Sequence, residues 1–186
     1  MVTAARKIAT YEDLFALPDH VVGEIVDGEL HVSPRPSLQH ARAAGGIFSD
    51  ISGPFDRGRG GPGGWIFLPE PELHFLPDIV VPDVAGWKRE RMPEMPQTPF
   101  TTIAPNWLCE VLSPSTARFD RGAKLAVYAR AGVEHVWLVD PMVQLLEVLT
   151  LDAGTWRITQ VFSGDAVVRA APFDAVELEL ANFWAR

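Results

Sequence analysis

Apolar and polar residues alternate along much of the chain in short runs separated by glycine and proline, a pattern typical of short β-strands. Residues 21–32 contain two such runs around Asp27-Gly28, a dipeptide that favours a two-residue hairpin turn. We therefore predict a hairpin there. Further strands are predicted at 65–68, 72–75, 79–85, 106–112 and 134–140.

Three stretches have the capping residues and the periodicity of helices. The first follows a capping pair formed by Thr10 and Asp13, and the second begins at Ser37. The third runs from about 118 to 131 and ends at Gly132. The sequence thus predicts helices before, between and after the strands.

The remaining segments complete a prediction of architecture. Residues 53–64 and 87–105 are rich in glycine or proline and indicate loops, whereas 142–186 alternates like a β-meander. We predict an α+β (α/β) fold with a mixed β-sheet flanked by helices. One domain would span 1–186, with a core at about 10–141 and a β-rich C-terminal extension at 142–186.

Composition narrows the classes of function. The chain is 47% hydrophobic and 22% charged, which is ordinary for a soluble globular protein. Its single cysteine excludes a disulfide framework, and no run is long enough for a signal peptide or a membrane span. We therefore expect a cytoplasmic protein that does not act at a membrane.

The net charge of −8 argues against a broad nucleic-acid-binding surface, although local patches matter more than the total. The basic residues form three clusters, which are either phosphate contacts or ordinary solvated charge. These clusters are Arg57 and Arg59; Lys88, Arg89 and Arg91; and Arg118, Arg121 and Lys124.

Two carboxylates interrupt apolar runs and suggest a metal site. Asp83 closes the run at 78–83, and Glu110 lies within 106–112. Buried carboxylates repel each other unless a cation lies between them, and Mg²⁺ prefers such oxygen ligands. Because residues two apart on a strand share a face, Asp83 and Glu110 can lie side by side on neighbouring strands. This pair favours metal-assisted hydrolysis, with phosphodiesters as the leading substrates.

Lys124 could add a cation to this pair. It lies one helical turn from both Asp120 and Tyr128, so the three share a helix face. The lysine could reach the scissile phosphate, or it could be an exposed helix lysine paired with Asp120.

An ordered set of motifs resembles the Uma2-type, restriction-endonuclease-like proteins of the PD-(D/E)XK nuclease superfamily. The motifs are GEIVDGEL (23–30), SLQH (37–40), VPD (81–83), CEVLSPST (109–116), DRGAK (120–124) with Tyr128, and GVEHVWLVDP (132–141). The resemblance implies a restriction-endonuclease-like α/β core. It also implies that Asp83 and Glu110 hold Mg²⁺ (or Mn²⁺), together with the backbone carbonyl of Val111. The chain departs from the superfamily at Leu112, which stands where a lysine is usual, and the resemblance makes Lys124 its replacement.

Three further residues are candidates for the same site. Glu24 is either a third carboxylate or a solvated hairpin residue. His40 could position a phosphate or water, or could form a local hydrogen bond. Tyr128 could hydrogen-bond near the site or pack on the sheet.

These observations lead to one expected function and one alternative. We expect a Mg²⁺-dependent DNA endonuclease that acts as a homodimer. The alternative is a catalytically silent nuclease fold that binds nucleic acid or protein and dimerises through the Trp- and Phe-rich strands of the C-terminal third.

Overall fold

Residues 8–184, which the computed structural model describes, form two large β-sheets, a two-stranded sheet and a few helices. The strands are β1 (Val21–Val26), β2 (Glu29–Pro34), β3 (Trp65–Pro69), β4 (Glu72–Phe75), β5 (Asp78–Val80), β6 (Val84–Lys88), β7 (Phe100–Thr101), β8 (Trp107–Val111), β9 (His135–Asp140), β10 (Leu145–Asp152), β11 (Thr155–Ser163), β12 (Val167–Val168) and β13 (Leu178–Glu179). The α-helices are α1 (Tyr11–Phe15), α2 (Leu38–Ile51), α3 (Ala117–Phe119) and α4 (Leu125–Ala131). A π-helical turn follows α2 at Ser52–Asp56, and a 3-10 turn, the C-terminal turn, lies at Leu180–Phe183. None of these helices has the length and apolarity that a membrane crossing requires.

The first sheet has the order β2-β1-β5-β4-β7 and is built on the predicted hairpin. Asp27 and Gly28 connect β1 to β2 with φ of 50° and 74°, values that suit the twist of a two-residue hairpin turn. The hairpin prediction is therefore confirmed. The β4–β7 pair is parallel and the others are antiparallel.

The second sheet has the order β11-β10-β9-β8-β6-β3. Its β8–β9 pair is parallel and its other pairs are antiparallel, so the predicted mixed sheet is confirmed. The C-terminal strands β10 and β11 continue this sheet as a meander from β9, whereas β12 and β13 pair separately. The chain beyond residue 141 thus completes the sheet that contains Glu110.

Hydrophobic cores lie on both faces of the second sheet. Along β8, Cys109 and Val111 join the core that α2 covers, whereas Leu108 joins the core that contains Tyr128 of α4. This alternation is the period of two that a strand imposes. Glu110 therefore faces the α4 side of the sheet.

The prediction of a single strand at 79–85 is wrong. The chain leaves the first sheet after Val80 and joins the second at Val84. Pro82 has no N–H to donate to a ladder, which explains why the strand breaks there. Asp83 consequently lies at the crossing between the two sheets rather than on a strand face shared with Val81.

Two other predicted segments differ in detail from the structure. The segment predicted as a loop at 87–105 begins later, because Trp87 belongs to β6, and it contains β7 and the fully buried Met92. The third helix is divided into α3, a π-helical turn at Asp120–Lys124 and α4. It ends as predicted at Gly132, which has the left-handed φ of 76°.

Candidate functional site

Residues from both large sheets line a cavity of about 850 Å³. All the predicted site side chains line it except that of Tyr128, which contacts Glu110 from behind. Four segments, which we call the wall segments, line it: 33–37, 69–72, 92–101 and 113–116. Asp83 and Glu110 both line the cavity, and β6 and β8 are neighbours in the second sheet. The structure therefore brings the two predicted carboxylates into one cavity.

Asp83 is fixed by the strand that carries Glu110. Its Oδ2 accepts a hydrogen bond of 2.7 Å from the backbone N–H of Val111. The same oxygen lies 3.3 Å from Nε2 of His40, which α2 supplies from its first turn. A backbone N–H and an imidazole thus hold one side of this carboxylate.

Glu110 is buried, with 3% of its side chain exposed, and helical residues satisfy one of its oxygens. Its Oε1 lies 2.8 Å from Nζ of Lys124 and accepts a bond of 2.5 Å from the hydroxyl of Tyr128. Lys124 and Tyr128 lie four residues apart and point to the same side of the helix.

Lys124 is the centre of the charge network. Its Nζ lies 3.0 Å from Oε1 of Glu24, 3.4 Å from the carbonyl oxygen of Val81 and 3.7 Å from Oδ1 of Asp120. The π-helical turn at Asp120–Lys124 contains two members of this network, and such turns are frequent at functional sites.

Three carboxylates, those of Glu24, Glu110 and Asp120, surround the buried ammonium group of Lys124, and the charge of Asp83 also acts on Glu110. Burial raises the pKa of Glu110 well above its ordinary value, because Lys124 offsets only part of the penalty and the other carboxylates repel it. Burial also raises the pKa of Asp120, again against the influence of Lys124. Burial alone would lower the pKa of Lys124, but Glu110 and Glu24 reverse this and hold it well above its ordinary value. The carboxylates of the site therefore repel one another, and a further cation bound there would relieve this repulsion.

His40 adds a second basic group. Burial would lower its pKa, but the neighbouring Asp83 carboxylate outweighs burial and raises it above the ordinary value. Its Nδ1 is buried and has no hydrogen-bond partner within residues 8–184. The imidazole can therefore carry a positive charge against Asp83.

The structure decides between the interpretations that the sequence left open. The exposed interpretations of Glu24 and Lys124 are wrong, because both side chains are buried and bonded to each other. His40 forms a hydrogen bond inside the cavity, and Tyr128 both packs in the core and bonds to Glu110. Sequence analysis gave Asp120 no place in the site; its position one turn before Lys124 was the available signal.

The donor set fits a hard divalent cation. The hydrogen bonds and ion pairs of Asp83 and Glu110 use only Oδ2 and Oε1, so the second oxygen of each has no partner within residues 8–184. Across the same residues, no three His, Cys, Asp or Glu side chains form a ready-made metal cage. Mg²⁺ needs none, since one or two carboxylates with several waters commonly bind it.

The basic clusters predicted from the sequence are mostly neutralised. Arg89 pairs with Asp56, Arg91 with Glu134 and Arg121 with Glu147. Arg57, Arg59 and Arg118 have no ion-pair partner in the described part of the chain, and none of the three lines the cavity. The structure shows no broad cationic face at the site.

Comparison with known proteins found a solved structure of similar fold and a matching family. A crystal structure from Anabaena variabilis ATCC 29413, described as "a putative nuclease belonging to DUF820", matches with a TM-score of 0.76 and 22% sequence identity. The match covers 95% of this chain and 97% of that chain, and at this identity it concerns the fold. No curated protein matches. The Uma2 family, described as "Putative restriction endonuclease", matches residues 9–181, so the chain belongs to that family and the predicted resemblance is confirmed.

Proposed function

We propose that this protein is a Mg²⁺- or Mn²⁺-dependent endonuclease that hydrolyses DNA phosphodiester bonds. One observation carries the proposal: Asp83, directly before β6, and Glu110, on the neighbouring strand β8, line one cavity in which Lys124 bonds to Glu110 at 2.8 Å. Membership of the Uma2 family and the nuclease-like fold support the same reaction class.

Asp83, Glu110 and the backbone carbonyl of Val111 are the proposed metal ligands. When bound, a divalent ion polarises the phosphodiester and lowers the pKa of a water that attacks it. Hydrogen bonds and ion pairs within the chain already orient the two carboxylates. The Val111 N–H and His40 fix one oxygen of Asp83, while Tyr128 and Lys124 fix one oxygen of Glu110.

Lys124 is proposed to supply the positive charge that Leu112 lacks. Leu112 packs in the hydrophobic core, whereas the ammonium group of Lys124 lies among the carboxylates that line the cavity. A cation that is already in position before the reaction stabilises the negative charge that develops on the phosphate, because the site does not have to rearrange. His40, with its raised pKa, orients Asp83 and can hold a proton beside it.

The test compares wild type with Asp83→Asn and Glu110→Gln on circular single-stranded and double-stranded DNA, with Mg²⁺ or Mn²⁺. Wild type is expected to cut and to melt at a higher temperature with metal, because a ligand that binds only the folded state stabilises it. Each variant is expected to lose both effects. Asp152→Asn, at an exposed pair with Arg157, is the matched control and should keep both.

Glu110→Gln should be no less stable than wild type without metal. Burial and the neighbouring carboxylates raise the pKa of Glu110, so the neutral amide keeps the shape of the side chain and removes a charge that the fold accommodates less well than water does. A sharp drop in the melting temperature of this variant would instead assign Glu110 a purely structural role.

A catalytically silent binding module remains the second candidate. The observation that favours it is that the ammonium group of Lys124 already forms ion pairs with Glu24 and Glu110, which leaves it less able to bind a substrate phosphate. Absence of cleavage with both metals, together with no metal-induced rise in melting temperature, would select this candidate.

We still propose a homodimer, but with a different interface from the one that the sequence suggested. Phe173, Phe183 and Trp184 lie in the core of one chain, so these aromatics are not the dimerisation face that the sequence suggested. The edge strand β11 instead exposes Ile158 and Val161, and an exposed edge can pair with another chain. Light scattering of wild type and Ile158→Lys tests this basis.

A further inference from the structure

The acidic side chains lie at the inner end of a cavity whose mouth is formed by exposed residues. Only 3% of the Glu110 side chain and 13% of the Asp83 side chain are exposed, whereas Arg35, Glu70 and Met95 in the wall segments are exposed. A substrate phosphate must therefore pass the wall segments to reach the carboxylates.

Duplex DNA is poorly shaped for this path. It is a stiff rod, with a persistence length of about 50 nm, and its phosphates are carried at regular intervals along both strands. A single unpaired strand bends freely and can place one phosphate inside a cavity of about 850 Å³.

The charge around the cavity also disfavours a duplex. Among the described residues, one arginine and one lysine line the cavity. Arg35 is exposed, whereas Lys124 is buried and ion-paired. Glu70 and Glu72 add negative charge to the wall segments. Affinity for a duplex depends largely on Lys and Arg contacts to phosphates, and this cavity offers few of them.

The wall segments instead offer apolar surface on which bases can stack. Met95 is 49% exposed, and Phe100 lines the cavity with its ring stacked on His74 at a centroid distance of 3.9 Å. Prolines from all four wall segments join them: Pro34, Pro36, Pro69, Pro71, Pro96, Pro99 and Pro114. Stacking on aromatic and apolar side chains is how proteins bind unpaired bases without strong sequence preference.

We propose that this cavity takes an unpaired DNA strand, with bases against a wall formed by Met95 and Phe100, the Met95–Phe100 wall, and one phosphate at the proposed metal site of Asp83 and Glu110. This inference rests on the proposed nuclease function and specifies its substrate as single-stranded DNA or the unpaired part of a duplex.

The first test compares cleavage of one labelled sequence as a single strand, a blunt duplex and a fork with two unpaired arms, each with Mn²⁺. The single strand and the unpaired arms are expected to be cut at least about tenfold faster than the blunt duplex. Equal or faster cutting of the blunt duplex overturns the inference and leaves the nuclease proposal intact.

The second test measures binding, so that it does not depend on cleavage. Fluorescence anisotropy of the wild-type protein with Ca²⁺, a cation that binds oxygen ligands, in place of Mg²⁺ is expected to show tighter binding of the single strand than of the duplex. The logarithm of the binding constant should fall with the logarithm of salt concentration with a slope of about −0.7 to −1.4, as for one or two neutralised phosphates. Equal or tighter duplex binding, a much steeper slope or no binding of either form contradicts the inference, whereas single-strand binding without wild-type cleavage contradicts only the nuclease proposal.

A matched pair of variants tests the stacking wall. Phe100→Leu removes an aromatic face but keeps apolar volume, and it should weaken single-strand binding about tenfold while duplex binding stays unchanged. Phe15→Leu, at a side chain that is 74% exposed and does not line the cavity, is the control and should change neither. If Phe100→Leu leaves single-strand binding at the wild-type level in a folded protein, the Met95–Phe100 wall is not the binding surface.

Discussion

Lys124 holds its ammonium nitrogen 2.8 Å from Oε1 of Glu110 inside a buried site. The two residues are brought together by the packing of the helical segment against the second sheet, since Lys124 belongs to the π-helical turn and Glu110 to β8. Glu110 thereby has a buried positive charge beside it. This pairing, rather than either residue alone, makes the carboxylate cluster tolerable in the folded protein.

Lys124→Met should therefore strongly destabilise the protein and abolish cleavage. Removing one partner of a buried pair leaves an uncompensated charge and costs about 3–5 kcal/mol at neutral pH. Urea denaturation measures this loss. Lys88→Met is the control, because Lys88 is 43% exposed and lies 3.9 Å from Glu134, and it should cost less than about 1 kcal/mol. Similar small losses in both variants would mean that the buried pair is not required for stability.

The destabilisation of Lys124→Met should shrink as the pH falls from 7 towards 5. The pKa of Glu110 in the folded protein is raised above its ordinary value of 4.5 by burial. A raised folded-state pKa gives stability that is present at low pH and is lost as the pH rises through it. Because loss of the lysine removes the influence that lowers this pKa, acid should rescue the variant; a constant deficit from pH 7 to 5 would contradict this.

The two tyrosines of the chain form a natural comparison, since each donates its hydroxyl to a glutamate. Tyr128 donates to Glu110 in the buried site, whereas Tyr11 donates to Glu72 nearer the surface at 2.8 Å. Tyr128→Phe should cost about 1.5–3 kcal/mol, the range for a hydrogen bond to a charged group. Tyr11→Phe should cost less than about 1 kcal/mol because water replaces the lost partner. Urea denaturation of both variants checks the order, and a larger cost at Tyr11 would reverse our account.

Two adjacent glycines of α2 should respond in opposite ways to alanine. A Cβ at Gly46 would lie 2.3 Å from the carbonyl oxygen of Asn182, so Gly46→Ala must push α2 away from the C-terminal turn and should cost about 1–3 kcal/mol. A Cβ at Gly45 has nothing within 4 Å, so Gly45→Ala should stabilise the helix by about 0.5–1 kcal/mol. Thermal melts of both variants test the pair; a neutral Gly46→Ala would show that the contact with Asn182 is not close in solution.

His40 and His135 should titrate on opposite sides of the ordinary histidine value of 6.5. Burial lowers the pKa of both. At His40 the Asp83 carboxylate outweighs burial and raises the pKa, whereas at His135 burial and Lys88 outweigh the Glu134 carboxylate. NMR titration of the ring protons, assigned with His40→Gln and His135→Gln, measures the order. His135 titrating above His40 would contradict the placement of His40 against Asp83.

The lowered pKa of His135 also predicts a sign for its effect on stability. The neutral ring is favoured in the folded protein, so the contribution of His135 is present above about pH 6.5 and is lost as the pH falls through the lowered folded-state pKa. Stability measured by urea should therefore fall more between pH 7 and pH 5 for wild type than for His135→Gln. An equal fall would mean that His135 does not titrate below 6.5.

The sequence by itself determined the local structure and the identity of the principal carboxylates. The turn at Asp27-Gly28, the helix that begins after Ser37 and the alternation along β8 depend on backbone preferences and on a period of two, which act between neighbouring residues. Asp83 and Glu110 stood out in the sequence because each places a carboxylate in an apolar run, and few carboxylates are buried without a partner.

Only the tertiary structure decided which partners these carboxylates have. Glu24, Asp120 and Lys124 each allowed an exposed interpretation, since their spacing is the same on a solvated surface as in a buried site. Their burial follows from the way the first sheet and the helical segment meet at the crossing formed by Val81, Pro82 and Asp83. Contacts such as Lys124 to Glu24 join positions 100 residues apart, and only the packing of whole elements can bring such positions to within 3.0 Å.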